Sequence, residues 1–289
     1  DNLTTGSVSR IKDLDVEFFL SDIQNEAIVK KASKDIDGLI HLAASKSVGE
    51  SVKMPEKYLR NNYFATCRLL EVVDKTNLQA VVFSSSAAVY APKNVGSLME
   101  EDRCDPPSPY GQSKLMCEKA IEYIFNTLSI ASVSLRYFNV IGARDNKRAD
   151  NSDFNLIPNT LSRIQKGNPA QIHGNDFDTV DGTCVRDYVD VRDIARAHVM
   201  SFEKFRNGNQ FEILNLGNKH GYSVMQVLTE LFGQLGMEKT FDIGARRPGD
   251  PAYLVADYAK ALRILGWKPE YDLKQMISSA IESSGVGKS

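Results

Sequence analysis

Short apolar runs alternate with helix-period stretches through the first half of this 289-residue chain, and that alternation leaves few folds open. VEFFLSDI (16–23) reads as a strand ending in an acid, DGLIHLAAS (37–45) as a buried strand running into small residues, and 80–86 and 131–142 as two more. Between them, 25–33 has a short helical pattern, 55–76 a long one with Leu59, Tyr63, Cys67 and Leu70 on one face, and 110–128 a third. Repeated strand-helix units bury a parallel sheet under helices on both faces. The expected class is therefore α/β, a Rossmann-type doubly wound parallel sheet. Small residues after a strand, as at Ala43, Ala44 and Ser45, allow close backbone approach at the sheet edge where such folds bind nucleotides.

The second half changes character. Residues 143–154 are charged and rich in Asn and Asp, as in an exposed loop, and FNLIPNTLSRIQKG is a Pro-interrupted helix start closed by Gly167. HGNDFDTVDGTCVRDYVDV mixes turn signals with a short strand, followed by a helix at 191–205, a strand at EILNLGN and a helix at 223–235 capped by Ser223 and ended at Gly236. A basic Pro-Gly loop (ARRPGDPAY) and helices at 258–265 and 273–283 complete the chain. The expected division is a cofactor domain at 1–140 and a smaller C-terminal substrate domain at 141–289, with segments around 186–217 returning to the first.

Composition narrows the function. Thirty-five basic against 37 acidic residues give no electrostatic footprint for nucleic acid or an anionic membrane. Cys67, Cys104, Cys117 and Cys184 are far apart, without metal-ligand or disulfide-framework spacing, so no metal and a reduced, cytoplasmic protein are expected. No apolar run approaches the ~18 residues of a membrane span.

One stretch carries chemistry. The strand VVFSSS ends in Ser84, Ser85 and Ser86, and after a polar loop Tyr110-Gly-Gln-Ser-Lys114 opens a helix. A Tyr and a Lys four apart share a helical face. A free phenol, with a pKa near ~10, is a poor base at neutral pH, and a neighbouring ammonium lowers that value. Tyr110 could then take the proton of a substrate hydroxyl held by Ser86 while a nicotinamide accepts a hydride. Tyr-x-x-x-Lys alone is common on helix surfaces, and it is the serine strand within a parallel sheet that gives the motif weight.

Nine segments then occur in order: Asp1-Asn2-Leu3, HLAASKSVGES, RNN, FSSSAAVY, SPYGQSK, LRYFNVIGA, HGNDFDTVDGTCVRDYVDV, NLG and RRPGDPA. Together they resemble the NAD-dependent epimerase/dehydratase branch of the extended short-chain dehydrogenase/reductase family over nearly the full length. The resemblance implies a homodimeric enzyme with tightly held NAD that interconverts UDP-glucose and UDP-galactose, with N-acetyl sugars sometimes accepted. It implies cofactor contacts from Asp1 and Asn2 at the adenosine ribose, Asp22 and Ile23 at the adenine, and Leu42, Ala43, Ala44 and Lys46 along the pyrophosphate and nicotinamide ribose. Asn61, Ser84, Tyr110, Lys114 and Phe138 complete that set. For the UDP-sugar it implies Ser86, Tyr110, Asn139, Asn155, Leu156, Arg186, Arg247, Asp250 and Leu254, with the two arginines clamping the diphosphate. Leu254 falls where some members carry a pocket-narrowing Tyr, which leaves room for an N-acetyl group.

The family's first strand, glycine-rich turn and first helix are not in the sequence. A molecule beginning at Asp1 is expected to bind NAD weakly or not at all, and the functional reading concerns a longer parent. Alternatives are a sugar-nucleotide dehydratase, which would need carboxylates where Ser86-Ala87-Ala88 stands, a decarboxylase acting on a uronate, and a non-catalytic nucleotide-binding protein.

Overall fold

The computed structural model describes residues 1–93, 96–247 and 250–286. Its strands are β1 (Gly38–His41), β2 (Ala80–Ser86), β3 (Ala131–Tyr137), β4 (Asn139–Ile141), β5 (Ala170–His173), β6 (Val185–Asp190), β7 (Phe211–Leu216), β8 (Gly221–Ser223), β9 (Phe241–Gly244) and β10 (Tyr253–Leu254). The α-helices are α1 (Glu26–Ala32), α2 (Val48–Lys53), α3 (Pro55–Tyr58), α4 (Ala65–Val72), α5 (Pro109–Thr127), α6 (Leu156–Gln165), α7 (Val191–Phe205), α8 (Val224–Leu235), α9 (Ala259–Leu265) and α10 (Leu273–Ser284). The chain divides into two compact units, one of residues 1–91, 103–136 and 198–214, the other of 92–102, 137–197 and 215–289.

The first unit is built on a four-stranded sheet of order β1-β2-β3-β7, with β1 parallel to β2. Alternation along β2 sends Val81 and Phe83 to one face, where Cys117, Ile121 and Phe125 of α5 close a core with Leu70 and Leu78. On the opposite face the α7 residues of this unit pack: His198 reaches Ser84, and an added side chain at Gly38 would stand 2.3 Å from the Phe202 ring. Helices thus cover both faces, and the doubly wound Rossmann-type expectation holds.

Two local expectations fail here. No strand forms at 16–23: Val16 and Leu20 are 55% and 66% exposed. An apolar run becomes a strand only where a neighbour satisfies its backbone. The backbone of this stretch bonds instead to turns, from Val16 N–H to the Leu14 carbonyl and from Asn25 N–H to the Asp22 carbonyl, and to Asp1, whose carbonyl accepts from Ser21 N–H and whose amine donates to the Phe19 carbonyl. The helix at 55–76 is broken rather than continuous. Between α3 and α4, Leu59–Phe64 winds as a π-helix, which adds a residue to the turn and rotates the buried face. Leu59 is left exposed, and Tyr58, Asn62, Thr66 and Leu69 point inward instead. The strand at 37–45 is also shorter and less buried than read, ending at His41 with Ile40 43% exposed.

The second unit holds a small sheet of order β10-β6-β4, with β8 antiparallel on β6, and a separate parallel pair, β5 and β9. Residues 131–142, read as one strand, are two, interrupted at Phe138. Ile141, Ile157, Leu161, Tyr188, Leu228, Leu231, Phe232 and Ile277 form the core of this unit. At its centre the buried Asp187 carboxylate accepts three backbone N–H groups, from Asn218 (2.6 Å), Lys219 (3.0 Å) and Ala256 (3.0 Å). Burial pushes its pKa up to about 6 against those bonds. Gly217 makes room for it, since a side chain there would stand 2.6 Å from Asp187 Oδ2. Pro248 and Gly249 of the predicted basic loop lie outside the described residues.

Candidate active site

The relay residues meet where β2 ends. Ser108 caps α5 through its hydroxyl to Gly111 N–H, and Pro109 starts the helix, so Tyr110 sits in its first turn. Gly111 allows that turn to lie against the 3-10 turn after Ser86: an added Cβ would stand 2.1 Å from the Ala88 carbonyl oxygen. One turn along, the buried Lys114 donates from Nζ to the Ser84 carbonyl at 2.8 Å and lies 4.8 Å from the Phe83 ring centroid. Burial pulls its pKa down to about 8, although Cys117 and Glu118 oppose the shift. Ser86 is half-buried and its hydroxyl accepts from Ala88 N–H, capping the 3-10 turn and staying at the mouth of the strand. Tyr110 is buried, and its ring meets Tyr58 edge-on at 6.2 Å.

The serines are held from behind by residues that the sequence did not single out. His198 Nε2 is 2.9 Å from Ser84 Oγ, a contact across 114 positions with no local signal. Asn62, neighbour of the expected Asn61, donates to the Ser45 carbonyl (3.0 Å) and to Ser113 Oγ (2.9 Å) and accepts from Ser45 N–H (2.8 Å). It therefore ties the loop after β1 to α5. Asn61 itself is only half-buried. His41, read as a satisfied core histidine, is one: Nε2 lies 2.8 Å from Thr66 Oγ1, and burial, then the Lys114 charge, pushes its pKa down to about 3.

The residues expected to meet adenosine come together. Asn2 Nδ2 donates to Asp22 Oδ2 at 3.0 Å, Asp1 accepts from Leu3 N–H at 2.6 Å, and the Asp22 pKa is lowered because hydrogen bonds from Gln24 and Asn2 outweigh burial. Ile23 is half-buried beside them. Leu42, Ala43 and Lys46 are exposed and Ala44 half-exposed at the carboxyl end of β1. Carboxylates for ribose hydroxyls, small exposed residues at a strand end, and a buried amine by the serines fit a dinucleotide.

In the second unit Asn139, Asn155 and Leu156 line one cleft of about 30 Å³ with Tyr188. Phe138 is buried beside Asn139, whose register partner on β6 is Tyr188. Asn155 Nδ2 donates to Asp150 at 2.7 Å. Two residues back on β6 stands Arg186, in register with Leu254 of β10. Arg186 Nη1 donates to the Val185 carbonyl at 2.8 Å, but Nη2, fully buried, has no hydrogen-bond partner among the described residues. Its nearest acid is Asp250 Oδ1 at 3.5 Å, while Arg247 Nε donates to Asp250 Oδ2 at 2.9 Å. An orphaned buried guanidinium nitrogen is costly to leave unmade, and an anion would complete it.

Residues 1–217 match the family described as "NAD dependent epimerase/dehydratase family". The chain belongs to that family. It is 38% identical to the UDP-glucose 4-epimerase of Lactobacillus helveticus over 94% of this chain and 84% of that protein. Among solved structures, UDP-glucose 4-epimerase from Brucella ovis in complex with NAD superposes with a TM-score of 0.91 at 35% identity, covering 98% of this chain and 89% of the other. UDP-glucose-4-epimerase from Stenotrophomonas maltophila, with bound NAD and formylated UDP-arabinopyranose, gives the same TM-score at 32% identity, over 99% and 89% of the two chains. Membership fits the expected α/β fold and the expected NAD dependence. No described helix is long and apolar enough to cross a membrane, and no described cluster of side chains could hold a metal ion.

Proposed function

We propose that this protein is an NAD-dependent UDP-sugar 4-epimerase that interconverts UDP-glucose and UDP-galactose through a 4-keto sugar. The observation that carries the reading is the Lys114 ammonium bonded to the Ser84 carbonyl, on the strand that ends in Ser86, one turn from Tyr110 on α5.

Tyr110 takes the proton of the sugar C4 hydroxyl, Ser86 orients that hydroxyl, and Lys114 stabilises the phenolate by its charge. When bound, NAD would supply the reversible hydride acceptor for C4. Asp1, Asn2, Asp22, Ile23, Leu42, Ala43, Ala44, Lys46, Asn61, Ser84, Lys114 and Phe138 hold it, with Asp1 discriminating against a 2′-phosphate on the ribose. Arg186, Arg247 and Asp250 grip the diphosphate and ribose, and Asn139, Asn155 and Leu156 the phosphate and uridine side. Tight anchoring at the diphosphate leaves the sugar free to turn over, as inversion at C4 requires. Leu254 borders the sugar pocket.

The cofactor half is residues 1–140 and the substrate half mainly 141–289, with segments around 186–217 returning to the first. We assign a cytoplasmic homodimer on the family's account. The absence of carboxylates at Ser86-Ala87-Ala88 favours epimerisation over dehydration.

Product analysis with UDP-galactose and NAD, comparing wild type with Tyr110→Phe, tests this. UDP-glucose formed by wild type and lost in the variant supports the reading. No turnover in either would leave a non-catalytic nucleotide-binding protein.

A further inference from the structure

Beneath the relay lies a buried ion pair that proton transfer does not use. Glu118 and Arg136 are 0% and 2% exposed. Arg136 of β3 donates to both carboxylate oxygens, from Nε to Oε1 at 2.9 Å and from Nη2 to Oε2 at 2.6 Å. Ser85, between the two serines of the relay strand, donates its hydroxyl to Glu118 Oε1. The same guanidinium lies 4.8 Å from the ring centroid of Tyr90, which closes the 3-10 turn begun at Ser86. Ser86 is thus bracketed on both sides in sequence by one network.

Its place on α5 matters. Tyr110, Lys114 and Glu118 are spaced four apart and rise along one helical face. Beside that face, Cys117, Ile121 and Phe125 pack in one cluster with Val81 and Phe83 through apolar contacts, which are non-directional and resist sliding poorly. A carboxylate bonded at once to β2 and β3 resists it strongly. Stability alone does not account for the pair, since a buried ion pair is often matched or exceeded by apolar residues of similar volume.

We propose that Glu118 is a positioning residue: by holding Ser85 and Arg136 together it fixes the register of α5 on β2, and with it the reach of Lys114 to the Ser84 carbonyl and of Tyr110 to Ser86. The inference rests on the reading of Tyr110 and Lys114 as the relay. The charged and titratable groups facing Lys114 are Glu118 and Cys117 on its own helix and His41 on β1. Cys117 and Glu118 both favour the ammonium, and because burial keeps the Cys117 thiol protonated up to about 11, loss of the Glu118 charge lowers the Lys114 pKa at neutral pH.

Glu118→Gln, Ser85→Ala and Tyr110→Phe are compared by kcat and KM for UDP-galactose, pH-rate profile, thermal unfolding, and NMR titration of Lys114. For Glu118→Gln the expectation is a kcat lower by about 100-fold with KM changed less than about threefold, a displaced pH-rate limb, and Lys114 titrating below about 8. Ser85→Ala, which leaves the ion pair intact, should lose about tenfold in kcat with unfolding unchanged. A folded Glu118→Gln with wild-type kcat, pH profile and Lys114 titration overturns the inference. If Glu118→Gln does not fold, wild-type kcat in Ser85→Ala overturns it. Should Tyr110→Phe keep full activity, the relay reading falls and takes this inference with it. An inactive Tyr110→Phe beside a fully active Glu118→Gln removes the positioning role alone.

Discussion

Arg186 Nη2 lies 3.5 Å from Asp250 Oδ1, close enough to feel its charge and too far for a hydrogen bond. The strand places the guanidinium, and its second nitrogen finds no hydrogen-bond partner among the described residues. Arg186→Lys keeps the charge but loses the planar fork that suits phosphate oxygens. We expect KM for UDP-galactose and Kd for UDP to rise roughly 10- to 100-fold with kcat nearly unchanged, since a hydrogen bond to a charged group contributes about 1.5–3 kcal/mol. Calorimetric titration with UDP checks this, and wild-type affinity would remove Arg186 from the clamp.

Gly111 is the contact between the relay helix and the turn after Ser86. Gly111→Ala would place a carbon 2.1 Å from the Ala88 carbonyl oxygen, so helix or turn must move. Overpacking of this kind costs about 1–3 kcal/mol, and displacing Tyr110 from Ser86 should cost activity beyond that loss of stability. Urea unfolding with kcat measured on folded protein separates the two effects. An unchanged kcat would show that the contact is not tight.

Lys114 is buried at the expense of its own charge. With its pKa drawn down to about 8 from an ordinary value near 10.5, the folded state carries the full desolvation cost below pH 8, and the cost is relieved as pH rises from about 8 to about 10.5. Lys114→Met should therefore lose at least about 10³-fold in kcat and yet unfold at the same or a higher temperature at pH 7. Scanning calorimetry decides; a marked fall in unfolding temperature would mean that the Ser84 bond outweighs the buried charge.

His41 acts with the same sign in a more acidic window. Folded, it stays neutral down to about pH 3; unfolded, it takes a proton near 6.5. Between those values the unfolded chain binds the extra proton, so stability drops as pH falls, by up to ~1.4 kcal/mol per unit from this one group. Urea unfolding at pH 7 and pH 5 should show a smaller loss in His41→Gln than in wild type. Equal losses would assign the slope to other groups.

Leu254 stands beside Arg186 in register on β10. If it leaves room for an N-acetyl group, wild type turns over UDP-GlcNAc at a rate comparable to UDP-galactose, and Leu254→Tyr suppresses the first while sparing the second. Failure of wild type to use UDP-GlcNAc would end that expectation.

The parallel sheet was legible because β2 and β3 are buried at every residue but the last and, Arg136 apart, read as runs of apolar and small residues. Lys114 was legible because four-residue spacing is a property of helices wherever they pack. Residues 16–23 misled because their alternation says nothing about whether a neighbouring strand is present to take their amides. The short β8 and β10 were invisible, since two or three residues carry no period. His198 and Asn62 belong to contacts across 114 and 51 positions, which only a folded chain brings together.

The π-turn at Leu59–Phe64 amounts to a phase offset written into a helix. It lets one rod show Tyr58 and Asn62 toward the relay and the loop after β1, then Thr66, Leu69 and Leu70 toward the sheet, on faces that a regular helix would not align. Deleting one residue there would yield a more regular helix with better hydrogen bonds and turn everything beyond it by about 100°, the angle per residue that follows from 3.6 residues per turn. Such a chain would gain helical regularity and lose the alignment of its two halves, so this segment should tolerate changes of side chain far better than changes of length.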